Sequence, residues 1–168
     1  MDQTISGIVV GVVTGVASSV ISILVFRTQR RWERKEDAYK EVLEALHEMK
    51  AASSIEYNAA IEMRDLSSER VEIIYKRWFA GRAVVDRYAD IGSVVLSTEA
   101  EDVLSTLKRE LEKSYDTSFE RADNDNHNVG IALAALKALA IKEQHKSPFI
   151  WRRTPEWIRA LDGAMNLL

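Results

Sequence analysis

Cysteine is absent from the 168-residue chain. That excludes a disulfide scaffold, a thiolate metal centre and a cysteine nucleophile together. Proline occurs twice and glycine seven times, too seldom for the many tight turns of an all-β domain. Charge of one sign is also scarce: the formal net charge is −3, so nothing suggests a phosphate backbone as partner, and no nucleic acid is expected. The sequence holds no glycine-rich phosphate loop and no Gly-x-Ser-x-Gly nucleophile elbow, which removes those routes to nucleotide and ester hydrolysis. The expectation is a protein that is not an enzyme and takes no cofactor.

What is present is a globular composition, 46% hydrophobic and 29% charged, in a chain long enough for one domain with a core. The charge is segregated. Residues 1–36 hold five bases and three acids, a net +2, which leaves −5 on the remainder. Ile5 to Phe26 is a run of 22 uncharged residues rich in Val, Ile and Gly. As a helix it measures about 33 Å, enough for a hydrocarbon core of ~30 Å. Inside lipid a helix pairs all its own backbone groups, which outweighs the weak helix propensity of β-branched residues.

The flanks predict an orientation. Four residues precede the run, whereas Arg27, Arg30, Arg31, Arg34 and Lys35 follow it, and basic residues stay on the cytoplasmic side. Trp32 stands where an interfacial aromatic anchors a helix end. A cleaved leader has its positive charge before the apolar run. Here the charge follows it, and the run continues past the small residues Ala17-Ser18-Ser19. The expected organisation is a short extracytoplasmic N-terminus (1–4), a transmembrane helix (5–26), a basic juxtamembrane segment (27–36) in contact with anionic lipid, and a cytoplasmic helical bundle (37–168). This is a single-pass protein of the inner membrane. Gly7, Gly11 and Gly15, with Ser19 continuing the row, share one helix face and allow a second helix to approach closely. That row predicts a homo-oligomer or association with another membrane protein through the span.

From Arg27 onward the apolar spacing is helical. Trp32, Tyr39, Leu43, Leu46 and Met49 form one stripe, which Ile55, Ala59 and Met63 prolong. A break at Leu66-Ser67-Ser68 precedes a second stripe of Val71, Ile74, Trp78, Val85 and Tyr88, with Gly81 inside it as a point of close helix contact. Ile91-Gly92-Ser93 is expected to end that helix. Thr98-Glu99-Ala100-Glu101 starts a third, with Val103 or Leu104, Leu107, Leu111 and Tyr115. The polar stretch from Asp123 to Asn128 reads as a loop whose side chains cap a fourth helix bearing Val129, Leu133, Leu136 and Ala140. Ser147-Pro148 stops it, and Thr154-Pro155-Glu156 opens a short amphipathic helix. The predicted fold is therefore all-α: one transmembrane helix, a four-helix antiparallel bundle and a C-terminal amphipathic helix.

No metal site is expected. Glu44 and His47 have the i, i+3 spacing of a two-iron bundle, but the other histidines lack the second copy: Asn124 stands three before His127, and Lys142 three before His145. The stretch from Asp123 alternates like a calcium loop, yet Asn128 replaces its glycine and Ala134 its final acid. Trp78 is expected in the core, and Trp151-Arg152-Arg153 mixes an aromatic with bases near the end.

The layout resembles that of bacterial proteins with one N-terminal span and a small helical cytoplasmic domain. The span, the Arg27–Lys35 stop and the helix from Ala38 to Leu43 carry this likeness, which is architectural and brings no site residues. Together these features predict a membrane-tethered interaction module, an adaptor, scaffold or regulatory subunit meeting a cytoplasmic protein partner beside the bilayer. The alternative is a membrane-perturbing, holin-like or toxin-like oligomer controlled by its cytoplasmic bundle. Only Thr14, Ser18, Ser19 and Ser22 would line a pore there.

Overall fold

The computed structural model describes the backbone of residues 2–145 and the side chains of residues 22–145. It contains four α-helices: α1 (Asp2–Ile61), α2 (Ser68–Val95), α3 (Thr98–Leu111) and α4 (Ser118–Gln144). No strand occurs among the described residues. The chain divides into two compact units, Met1–Arg34 and Lys35–Leu168. The expected C-terminal helix and Trp151 lie outside the described residues.

Helix α1 is long because neither proline nor glycine interrupts the sequence between Gly15 and Gly81. It stops through a backbone lock. Met63 takes a left-handed conformation (φ 49°), Arg64 N–H donates to Ala59 C=O at 2.9 Å, and Met63 N–H donates to Ala60 C=O at 3.3 Å. This is the Schellman closure that glycine usually serves, so Met63 carries a left-handed strain of roughly 1 kcal/mol. Met63 is accordingly solvent-exposed. The first apolar stripe ends at Ala59 and does not extend to Met63 as its spacing suggested.

The remaining helices start on hydroxyl caps, which satisfy N–H groups that the first turn leaves unpaired. Ser67 accepts from Arg70 N–H, Ser97 from Ala100 N–H, and Thr117 from Glu120 N–H. Two sequence expectations fail here. Helix α2 does not end at Gly92 but runs to Val95, and Gly92 is buried within it. A Cβ on Gly92 would lie 3.2 Å from Glu101 Cβ, so this glycine serves the close approach of α3. Asp123–Asn128 is not a loop but the second turn of α4 and the turn after it, and Thr117 rather than an Asx side chain caps that helix. Helix propensity there is poor by a few tenths of a kcal/mol per residue. Interhelical contacts made by Asn126, and burial of Ala122 one heptad before Val129, outweigh it.

Contacts fix an up-down-up-down order in the second unit. Glu41 meets Arg87 and Tyr88 while Glu48 meets Arg77, so α1 and α2 are antiparallel. Ala89 C=O accepts from Ser105, and Arg82 reaches Glu112, so α2 and α3 are antiparallel. Lys35 meets Glu143 while Tyr57 stacks on Phe119, so α1 and α4 are antiparallel. The core at their centre comprises Val42, Leu43, Leu46, Met49, Val85, Leu104, Leu107, Val129 and Leu136, with Trp78 packed against it. Each large apolar side chain there contributes roughly 2 kcal/mol of burial free energy. Gly81 performs the role expected of it: a Cβ there would stand 2.8 Å from Ala45 O and 2.5 Å from Met49 Cγ.

Candidate functional site

Lys50 occupies a position where α1 otherwise presents its core stripe, one turn after Leu46. Its side chain is half-buried and turned toward α4. The ammonium donates to Asn126 backbone O at 2.8 Å and to Asn126 Oδ1 at 2.5 Å. Ser54 donates to the same Oδ1 at 2.9 Å, and Ser53 satisfies itself on Lys50 backbone O at 3.1 Å. Among the described residues the acceptors of the Lys50 charge are neutral oxygens, and burial holds its pKa below the ordinary lysine value.

An open cleft of about 410 Å³ runs along the α1–α4 seam beside this cluster. From α1 it takes Lys50 and Tyr57; from α4 it takes Asp123, Asn126, His127, Gly130, Ile131 and Ala134. The α4 residues follow steps of three and four, so they form one helical face. Tyr57 is steadied by stacking on Phe119, with ring centroids 6.0 Å apart. The cleft combines one cation held by neutral groups, a phenol, an imidazole, an exposed carboxylate and an apolar end. That set can bind and orient a small polar molecule.

Two half-buried carboxyl groups lie in the same half of the bundle. Burial raises the pKa of Asp125 to about 6; Glu56 adds to the rise, while Arg121 and Arg82 oppose it. Glu56 is itself raised by burial, against the pull of Arg121. Other polar contacts hold the helices together. Lys35 and Glu143 form an ion pair in which the carboxylate is 8% exposed. Tyr39 Oη and Ser97 Oγ lie 3.1 Å apart, and burial raises the tyrosine pKa. Tyr88 donates to Glu41 at 2.6 Å; this bond and the one from Arg87 hold the Glu41 carboxyl below its usual range.

The residues singled out by sequence fall in separate places. Gly7, Gly11, Gly15 and Ser19 lie on α1, outside the residues whose side-chain surroundings are described. Arg27, Arg30, Arg31 and Arg34 are exposed, Arg30 sits 5.2 Å over the Phe26 ring, and Trp32 is half-buried. Lys35 differs from the rest of that basic segment, since it is engaged with Glu143. The expected span over 5–26 is helical, but the side chains of residues 5–21 are outside the described set. Among the described residues no helix is long and apolar enough to cross a membrane. Glu44 pairs loosely with Lys40 at 3.9 Å, and His47 Nδ1 is buried with no hydrogen-bond partner among the described residues. No group of three metal-ligating side chains occurs among the described residues.

Sequence reasoning missed the Lys50 cleft, although a signal existed. Lys50 falls in phase with Leu43 and Leu46, and a lysine on a buried stripe requires a partner across the seam. The chain matches no family model, no curated protein and no solved structure.

Proposed function

We propose that the protein is a membrane-tethered helical interaction module, an adaptor, scaffold or regulatory subunit. It is anchored by residues 5–26 in the inner membrane, with its N-terminus outside and its bundle in the cytoplasm beside a protein partner. One observation carries the tether. Ile23, Leu24, Val25 and Phe26 are 46–56% exposed on α1. Four consecutive helical residues sweep roughly 300° around the axis, so the helix is apolar on every side there. Such a surface is stable only when covered by lipid or by other apolar helices. The arginines that follow provide the stop and orient the chain. The glycine row supports association of spans within the bilayer.

The test is fractionation of cells making the full chain. The protein is expected to stay in the pellet after an alkaline carbonate wash, with a C-terminal tag protected from protease added outside spheroplasts. Release into the wash, or cleavage of the tag, overturns the tether or its orientation. For the interaction, cross-linking in intact membranes is expected to give a stoichiometric partner or a homo-oligomer. A monomer at every concentration removes that part of the reading.

A further inference from the structure

We propose that the α1–α4 cleft binds a small organic monocarboxylate with a short apolar chain, the carboxylate on the Lys50 ammonium and the chain along Ile131 and Ala134. Three observations define this ligand. First, Lys50 presents a half-buried cation whose hydrogen bonds, among the described residues, go to Asn126. An ammonium has three N–H donors, so one remains for an incoming acceptor, and a charge-assisted bond there is about twice as strong as a neutral one. Burial penalises this charge, and an anion bound beside it relieves the penalty.

Second, Gly130 leaves the approach to the ammonium open. A Cβ on Gly130 would stand 3.4 Å from Lys50 Nζ and 3.6 Å from Cε, so any larger side chain fills the place of the ligand's head group. Third, the cleft is graded along α4. Asp123 precedes Asn126 by one turn, and Ile131 and Ala134 follow it by one to two turns. The carboxylate of Asp123 repels a second negative charge on its side, which disfavours a phosphate or a dicarboxylate. The half-exposed Ile131 and exposed Ala134 accept an apolar chain on the other side. Tyr57 and His127 at the rim supply further hydrogen-bonding groups for the head.

The experiment titrates carboxyl-labelled ¹³C-hexanoate into the full chain in lipid nanodiscs, with empty nanodiscs as blank, and reads the carboxyl resonance. Saturable binding in the millimolar range or tighter is expected. Lys50→Gln keeps a donor for Asn126 but removes the charge, and is expected to weaken binding about tenfold or more. Ala134→Leu fills the apolar end from an exposed position, so the fold is unaffected, and it is expected to weaken hexanoate similarly. Hexanol, which lacks the charge, is expected to bind at least about tenfold more weakly than hexanoate. Absence of saturable binding overturns the proposal. So does hexanoate binding that Ala134→Leu leaves unchanged, or inorganic phosphate binding as tightly as hexanoate.

Discussion

Lys35 and Lys50 stand fifteen residues apart on α1, and both turn to α4, yet the helix answers them differently. Lys35 meets the carboxylate of Glu143, which is almost wholly buried. Lys50 meets the amide and backbone oxygens of Asn126. The first arrangement is closed: two opposite charges compensate each other where the chain enters the bundle. The second is open: among the described residues a cation is stabilised by neutral dipoles, beside a cleft. Ion pairing and ligand readiness therefore occupy different levels of one helix seam. A full counter-charge at Lys50 would remove the reason for a ligand to bind there, whereas at Lys35 the charges of cation and buried carboxylate offset each other.

The strongest way to break this comparison acts on the closed pair. Lys35→Met removes the ammonium that meets the buried Glu143 carboxylate and is expected to lower stability by about 2 kcal/mol, since losing one partner of a buried ion pair costs more than a lost neutral bond. Adding Glu143→Leu is expected to recover part of that loss, because an apolar pair of similar volume needs no desolvation offset. Urea unfolding followed by circular dichroism, in one detergent for all variants, measures both. If the single change has no effect, the pair is not the closure described above.

Much of the fold was legible because its rules are local. Ser67 was readable as a break because a hydroxyl caps a helix in any context. The stripes from Tyr39 to Met49 and from Val129 to Ala140 were readable because a helix repeats every 3.6 residues. Gly81 was readable as a contact point because only a missing side chain admits a neighbouring backbone. What escaped depends on partners distant in sequence. Asp123–Asn128 reads as a loop by propensity, and contacts with Lys50 and Ser54, more than seventy residues earlier, help explain why Asn126 is helical. Gly92 has the look of a helix end until Glu101 is packed against it. Lys35 is indistinguishable in sequence from the arginines before it until Glu143 meets it. The cleft belongs to this second class: its two walls are separate in the chain, and only the register between α1 and α4 joins them.

A second test asks how the open half of the seam tolerates charge of the opposite sign. Asp125 has its pKa raised to about 6, first by burial and then by Glu56. An unfolded aspartate titrates near ~3.9, so the folded chain holds this proton more tightly than the unfolded one. Stability therefore falls as pH rises through the window from about 4 to about 6, and the full penalty is present above it. Asp125→Asn is expected to stabilise the chain by about 1–2 kcal/mol near neutral pH, less than the full linkage value because the group is part-exposed. That gain is expected to shrink toward zero as the pH approaches 4. Thermal melts of both proteins across this range measure it. A gain that stays constant with pH places the effect in packing and not in titration.

The finest test converts the open site into a closed one without changing its shape. Asn126→Asp replaces an amide oxygen by a carboxylate oxygen at the position where Lys50 donates at 2.5 Å and Ser54 at 2.9 Å. Asparagine and aspartate have similar helix propensities, so the backbone of α4 is little affected. Lys50 then gains the counter-charge that Lys35 already has, and its pKa is expected to rise back toward the ordinary lysine value. Stability is expected to increase by at most about 1 kcal/mol, because desolvation of the new carboxylate offsets most of the attraction. Hexanoate, by contrast, meets a carboxylate beside its own binding group and is expected to lose nearly all affinity. The opposite signs of these two effects make the test discriminating: a general disturbance of α4 lowers both stability and binding, whereas closure of the charge raises one and removes the other. The Lys50 side-chain resonance, followed against pH in wild type and variant, reports the change at the atom concerned.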